Sequence, residues 1–182
     1  ATKADLITIG TLERRKNQAF LMDVLGACKR RGAIYTLSIV GDGPDLDKLK
    51  ALAISKGIAE QVHFLGRVPA ASLIRGHKAL LHAALIENMP IALIESLACG
   101  VPVFSGAVGG IPELIKDGLN GRFWPLDDPD RAAEILIKVL EDPKGLSEMA
   151  GNAYSVYRDA YSLDACGHRW MSVVMGSDGV CA

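Results

Sequence analysis

This chain lacks an excess of either charge: 20 Lys+Arg stand against 21 Asp+Glu in 182 residues, for a net charge of -1. No overall basic field exists to collect nucleic acid or anionic lipid, so any anion site has to be local. Cysteine is scarce. Cys28, Cys99, Cys166 and Cys181 lie far apart with no C-x-x-C pair, which argues against a disulfide framework or a cysteine zinc site and reads as reduced, mostly buried thiols. Long hydrophobic runs are absent too. Nothing approaches the roughly 20 apolar residues that span a bilayer, and the opening Ala1-Thr2-Lys3-Ala4-Asp5 is no signal peptide. The expectation is a cytoplasmic protein with no nucleic-acid partner and no transmembrane segment. His63, His77, His82 and His168 share no metal-ligand spacing, so no metal is expected, and a lone strand histidine such as His82 reads as a satisfied core group.

What is there is a rhythm. With 49% hydrophobic residues the chain can bury one substantial core, and its length predicts a single domain over residues 1–182. Short apolar runs at residues 6–9, 35–40, 62–65, 79–82, 101–104 and 121–124 alternate with helical patterns from about residue 17, over 46–54 and over 90–99. Strands this short and apolar, separated by helices, predict an α/β fold: a Rossmann-like, doubly wound parallel sheet of about six strands. Gly41-Asp42-Gly43-Pro44, Gly109-Gly110 and Asp117-Gly118 punctuate the hand-overs. Residues 130–140, 145–157 and 163–174 read as three closing helices, with little to order residues 176–182. A strand beginning almost at residue 5 makes the chain read as cut from something longer.

Ligands of such sheets bind at the carboxyl ends of the strands, which directs attention to residues 10–17, 41–45, 66–71, 84–91 and 105–112. The strongest constellation there is Glu87-Asn88-Met89-Pro90-Ile91-Ala92-Leu93-Ile94-Glu95, two carboxylates across the start of a helix. Pro90 suits a first helical turn, and the free amides of residues 89–92 would form an anion site. Glu95 would lie about 7 Å down the helix axis, where a carboxylate accepts from two vicinal hydroxyls at once. Spacing alone is met equally well by a solvated loop glutamate and a surface helix glutamate. A second cluster, Glu13-Arg14-Arg15-Lys16, precedes a helix capped by Asn17. Cations beside a helix N-terminus are unfavourable, so either a bound anion or plain solvation by Glu13 and water has to account for them. Gly109-Gly110 permits close backbone approach to a ligand, or simply a tight turn. Gly41-Asp42-Gly43 opens like a dinucleotide fingerprint, but Leu46 occupies the third glycine position, which argues against a nicotinamide cofactor.

Taken in order, Gly10-Thr11-Leu12 with Lys16-Asn17, Val40-Gly41-Asp42-Gly43-Pro44, Val62-His63-Phe64-Leu65-Gly66, residues 87–95, and Ala98-Cys99-Gly100-Val101-Pro102-Val103 running to Gly109-Gly110-Ile111-Pro112-Glu113 resemble the group 1 glycosyltransferases from residue 5 to about 140. The resemblance implies the C-terminal, nucleotide-sugar-binding domain of a retaining GT-B enzyme that needs no metal or other cofactor beyond its nucleoside-diphosphate-sugar donor. The N-terminal acceptor domain would be missing, peripheral membrane contact would fall to that domain, and the isolated chain would bind donor without turning it over. By the same resemblance, Glu95 holds the ribose hydroxyls, Glu87 faces the donor sugar, and Asn88, Met89, Pro90 and Ile91 contact sugar and diphosphate. Lys16 would neutralise the departing diphosphate. Gly66, Arg67 and Val68, with Gly41 and Gly43, would flank base and nucleotide, with Gly10, Thr11, Gly109 and Gly110 completing the donor site. Three departures stand out: Thr11 where the family usually has Arg, leaving Arg14 or Arg15 as replacement; Ala83-Ala84 where Pro-Ser is usual; and Lys78 at a usual Asp. Two other expectations remain open, a non-catalytic nucleotide-binding module of the same fold and a nucleotide-sugar 2-epimerase relative.

Overall fold

The computed structural model describes residues 4–69 and 71–175. Its strands are β1 (Leu6–Ile9), β2 (Leu37–Val40), β3 (Val62–Gly66), β4 (Ala79–His82), β5 (Val103–Ser105) and β6 (Gly121–Phe123). All pair in parallel, in the order β3-β2-β1-β4-β5-β6. That order reverses direction between β1 and β4, and the reversal opens a crevice at the carboxyl ends of those two strands.

Alternation along each strand explains the double winding. Leu6, Leu37, Ile39, Ala79, Leu81 and Phe104 feed one buried cluster, while Ile7, Val40, Leu80 and Val103 feed another on the opposite face. The first is covered by α1 (Gln18–Arg30), α2 (Leu46–Ser55) and α6 (Pro129–Leu140); the second by α4 (Ile91–Ala98) and α7 (Pro143–Ala160), with the short α3 (Ala71–Ile74) and α5 (Ile111–Leu114). A final helix, α8 (Leu163–Val174), leaves Leu163, Trp170 and Val173 exposed. The last three helices start on side-chain caps: Asp128, Asp142 and Ser162 accept from the amides of Arg131, Gly145 and Ala165 at 2.9, 3.0 and 3.2 Å, with Pro129 and Pro143 at first helical positions.

The differences from expectation are local. β2 begins at Leu37 and not at Tyr35, and β5 at Val103, because Pro102 has no amide to give and takes part only as acceptor, from Leu80 at 2.9 Å. The helices α3 and α5 are single turns, too short for a 3.6-residue pattern to register. Asn17 stands at the head of α1 but does not cap it: its backbone is left-handed at φ 53 and its side chain accepts no amide. Of the three cysteines among the described residues only Cys28 is buried; Cys99 is half-buried and Cys166 exposed, and all three are free thiols. Cys181 and residues 176–182 lie outside the described residues.

Candidate functional site

The loops after β1 and β4 leave the sheet on opposite sides of the reversal and meet again above it. A 3-10 turn, Arg14–Lys16, follows β1. Its base is pinned by Gln18, whose buried side-chain amide donates to the Thr11 carbonyl at 2.9 Å. Its crown is pinned by the Arg15 carbonyl, which accepts from the Leu85 amide at 2.9 Å. That single backbone bond straps the β1 loop to the β4 loop. It sets Lys16 over Gly10, whose open side lies 4.0 Å from the Lys16 stem, and delivers the ammonium to Glu87 as an ion pair.

Neither partner is a solvated surface charge, since the Lys16 and Glu87 side chains are 16% and 10% exposed. Burial strengthens the attraction and also makes each charge costly to leave alone. Under the pair lies His82, the last residue of β4, with its Nε2 3.6 Å from Glu87 Oε1. That nitrogen is buried without a hydrogen-bond partner among the described residues, so the expectation of a satisfied core histidine is corrected. Burial is the largest influence on its ring and, reinforced by Lys16 against the opposing pull of Glu87, holds its pKa down to about 4.

Beyond Glu87 the chain turns into α4, with Pro90 one position earlier in the helix than expected, as its extended head residue. Leu93 donates to the Pro90 carbonyl at 3.0 Å, while the amides of Met89, Ile91 and Ala92 meet no acceptor among the described residues. The result is an anion-receptive helix start. Gly109 and Gly110 serve this loop directly. Gly109 is left-handed at φ 52, and a side chain on it would overlap the Glu87 carbonyl; Gly110 donates to the Asn88 carbonyl at 2.9 Å. Their close approach is therefore to the Glu87-Asn88 backbone. Glu95 sits half-buried on α4, its carboxylate without hydrogen bond or ion pair among the described residues.

On the other flank, Ile9, Gly10, Thr11, Val40, Gly41, Asp42, Arg67 and Val68 line an open hollow of about 380 Å³ at the ends of β1, β2 and β3. Gly41 is left-handed at φ 142, and any Cβ there would run into the Gly10 carbonyl, as one at Gly43 would into Leu12. Gly66 accepts from Gly41 at 2.8 Å. Gly43 and Gly66 thus shape the hollow without lining it. Arg14 and Arg15 fall elsewhere: Arg14 lines a separate hollow of about 280 Å³ between the starts of α1 and α2, and the Arg15 guanidinium pairs with Glu13 at 2.7 Å. The arginine that shares a hollow with Thr11 is Arg67.

Residues 1–156 match the family model described as glycosyl transferases group 1. The chain belongs to the group 1 glycosyltransferases. Among its relatives, the GDP-mannose-dependent alpha-(1-6)-phosphatidylinositol monomannoside mannosyltransferase of Mycolicibacterium smegmatis is 32% identical over 154 residues, covering 79% of this chain and 40% of that one. The N-acetyl-alpha-D-glucosaminyl L-malate synthase of Bacillus anthracis is 35% identical over 107 residues, covering 58% and 28%. Among solved structures, Anabaena HepE in complex with UDP superposes with a TM-score of 0.85 at 22% identity, over 95% of this chain and 49% of that one. The Rossmann-like domain of a GT-B glycosyltransferase is thus the fold of this group 1 member, which spans less than half the length of these relatives. Among the described residues no helix is long and apolar enough to cross a membrane.

His82 is the site residue that sequence reasoning missed. The only available signal was its position, at the carboxyl end of a fully buried strand and five residues before Glu87.

Proposed function

We propose that this chain is the donor-binding half of a retaining, metal-independent glycosyltransferase acting on a nucleoside-diphosphate sugar, with the acceptor half supplied by sequence outside it. The observation that carries this reading is the buried Lys16–Glu87 pair at the reversal of strand order, beside the open amides of Met89, Ile91 and Ala92. Glycosyl transfer is limited by the charge that gathers on the departing diphosphate as the anomeric bond breaks and its electron pair leaves with the phosphate oxygen. An ammonium and oriented amides in a water-poor crevice are suited to stabilise it. Glu87, held at the mouth of the α4 loop, faces the sugar. Glu95 accepts the ribose hydroxyls, its carboxylate having no competing partner among the described residues. The hollow lined by Gly10, Thr11, Gly41, Arg67 and Val68 takes the nucleoside, with Arg67 supplying the cation that Thr11 does not. Among the described residues no second carboxylate pairs with Glu87 as nucleophile and acid partner, which favours a same-face, ion-pair-like displacement over a double displacement.

The mannosyl and N-acetylglucosaminyl transferases among the relatives, and the UDP complex among the structures, support the donor class without selecting a base or sugar. Calorimetric titration with UDP and GDP tests the reading. Glu95→Ala should weaken nucleoside-diphosphate binding by about 1.5 to 3 kcal/mol with the fold intact, the range for hydrogen bonds to a charged group. Unchanged affinity would return Glu95 to an ordinary helix residue. A second reading, a nucleotide-binding module without turnover, is favoured by Thr11 and by the placement of Arg14 and Arg15 away from the pair. Sugar transfer by the protein carrying both halves would exclude it, and retention at the anomeric carbon would establish the stereochemistry.

A further inference from the structure

His82 is 4% exposed, and its Nε2 has no partner among the described residues although the Glu87 carboxylate stands 3.6 Å away. An apolar side chain would fill the end of β4 without that cost in unmade hydrogen bonding. The distance is just beyond a hydrogen bond, and it is so because the same oxygen, Glu87 Oε1, is already held by Lys16. Lys16 and, in its Nε2–H tautomer, His82 therefore converge on one carboxylate oxygen, one engaged and one waiting.

In the donor-binding reading, on which this inference rests, Lys16 meets the diphosphate. Its charge is then shared with, or surrendered to, a second anion, and Glu87 is left buried with less of its counter-charge. We propose that His82 is a positioning residue that takes Glu87 over at that moment: the gap closes, the imidazole Nε2–H donates to Glu87 Oε1, and the carboxylate stays aimed at the sugar when Lys16 turns to phosphate. Without it, the incoming diphosphate and Glu87 would repel each other across the crevice, and Glu87 would swing away with its loop.

The surroundings of the ring make this hand-over readable. Lys16 and Glu87 are the charged side chains that act on His82. β1 contributes Leu6, Ile7, Thr8 and Ile9, and β5 contributes Val103, Phe104 and Ser105, the register partner of His82, whose hydroxyl is spent on the Gly106 carbonyl. None of these titrates, and neither do residues 83–86. Burial and Lys16 hold the ring neutral while Glu87 alone favours its charged form. Withdrawal of Lys16 therefore moves the His82 titration upward, whether a ligand or a mutation removes it.

The experiment is a titration of the histidine imidazoles by nuclear magnetic resonance, with His82 assigned through His82→Gln, on the free chain, on Lys16→Met, and on the wild type saturated with UDP or GDP. The His82 midpoint, near 4 in the free chain, should rise by about one pH unit or more in Lys16→Met and in the nucleotide complex. Identical midpoints in all three overturn the proposal. Should neither UDP nor GDP bind, the hand-over and the donor reading fall together, whereas binding with a shift in Lys16→Met alone overturns the hand-over and spares the donor reading. A binding series separates positioning from packing. His82→Leu should fold with an equal or higher Tm yet bind the nucleotide about tenfold more weakly, and His82→Gln, which keeps an N–H donor, should recover most of that loss. Wild-type affinity in both variants would show a merely structural histidine.

Discussion

The two halves of the sheet spend their backbone amides differently. In the first half the loops are zipped to one another: Gly10 donates to Val40 at 3.0 Å, Leu12 to Asp42 at 3.1 Å, Gly41 to Gly66 at 2.8 Å and Asp45 to Leu12 at 3.0 Å. In the second half, Met89, Ile91 and Ala92 keep theirs unspent. Main-chain anion binding at the head of α4 therefore has a helix start behind it. The first half adds the side chains of Lys16 and Arg67, both placed to meet an anion. Glycine makes both arrangements possible, but for opposite ends: Gly41 closes one loop onto its neighbour, whereas Gly109 buttresses a loop whose amides stay open.

The most severe way to break this contrast is Gly109→Val. A β-branched residue at φ 52 is strained, and its Cβ would collide with the Glu87 carbonyl; together these should cost about 3 kcal/mol or more. Chemical denaturation would measure the loss, and the surviving folded protein should fail to bind a nucleoside diphosphate. Gly41→Val should destabilise to a similar degree with a smaller loss of binding, because Glu87 is untouched.

Acid should expose the second half next. The His82 pKa falls from an ordinary 6.5 to about 4 in the fold, so the unfolded chain binds a proton there that the folded chain refuses. Stability contributed by the neutral ring is whole above pH 6.5 and drains away as pH falls towards 4, by up to about 3 kcal/mol. Urea titrations across that window should show the drop in the wild type and its removal in His82→Gln. A flat wild-type profile would mean the ring is more solvated than its packing implies.

The first half's side-chain contribution is sharpened by Lys16→Ala. In the complete enzyme it should lower kcat about 100-fold, because the diphosphate carries its greatest charge in the transition state. Affinity for the donor should fall less, since the α4 amides persist. Smallest of all is the exposed Glu13–Arg15 pair, whose double-mutant cycle should give about 0.5 kcal/mol or less in stability. A large catalytic effect of Arg15→Ala, absent from Arg67→Ala, would move the missing family cation from Arg67 back to the 3-10 turn.

How much of this was legible before the fold depends on the reach of the signal. All six strands could be read because burial writes apolar runs into short segments, on both faces in the inner strands β1, β2, β4 and β5 and partly in the edge strands β3 and β6. The three closing helices could be read because strand signals stop at residue 128 and helical patterns follow; that Asp128, Asp142 and Ser162 cap them is what the structure adds. Asn17 misled: its residue type suits a cap, but the 3-10 turn before it drives the backbone left-handed. Lys16 and Glu87 were each legible through the family resemblance, but their union was not, since 71 positions separate them and only the reversal between β1 and β4 joins their loops. His82 was illegible for the same reason in stronger form. Its chemistry lies entirely in what its nitrogen lacks, and a lack of partners has no sequence pattern.

The Leu85–Arg15 strap carries a further consequence. Among the described residues it is the one backbone rung between the two loops, a single main-chain latch beside the Lys16–Glu87 ion pair that crosses the same gap. A ligand that pulls Lys16 must either load that latch or open it, and in both cases the Leu85 amide changes its protection from solvent exchange before any larger motion of the sheet. The Leu85 amide proton thereby serves as a gauge of whether the two loops move together or apart.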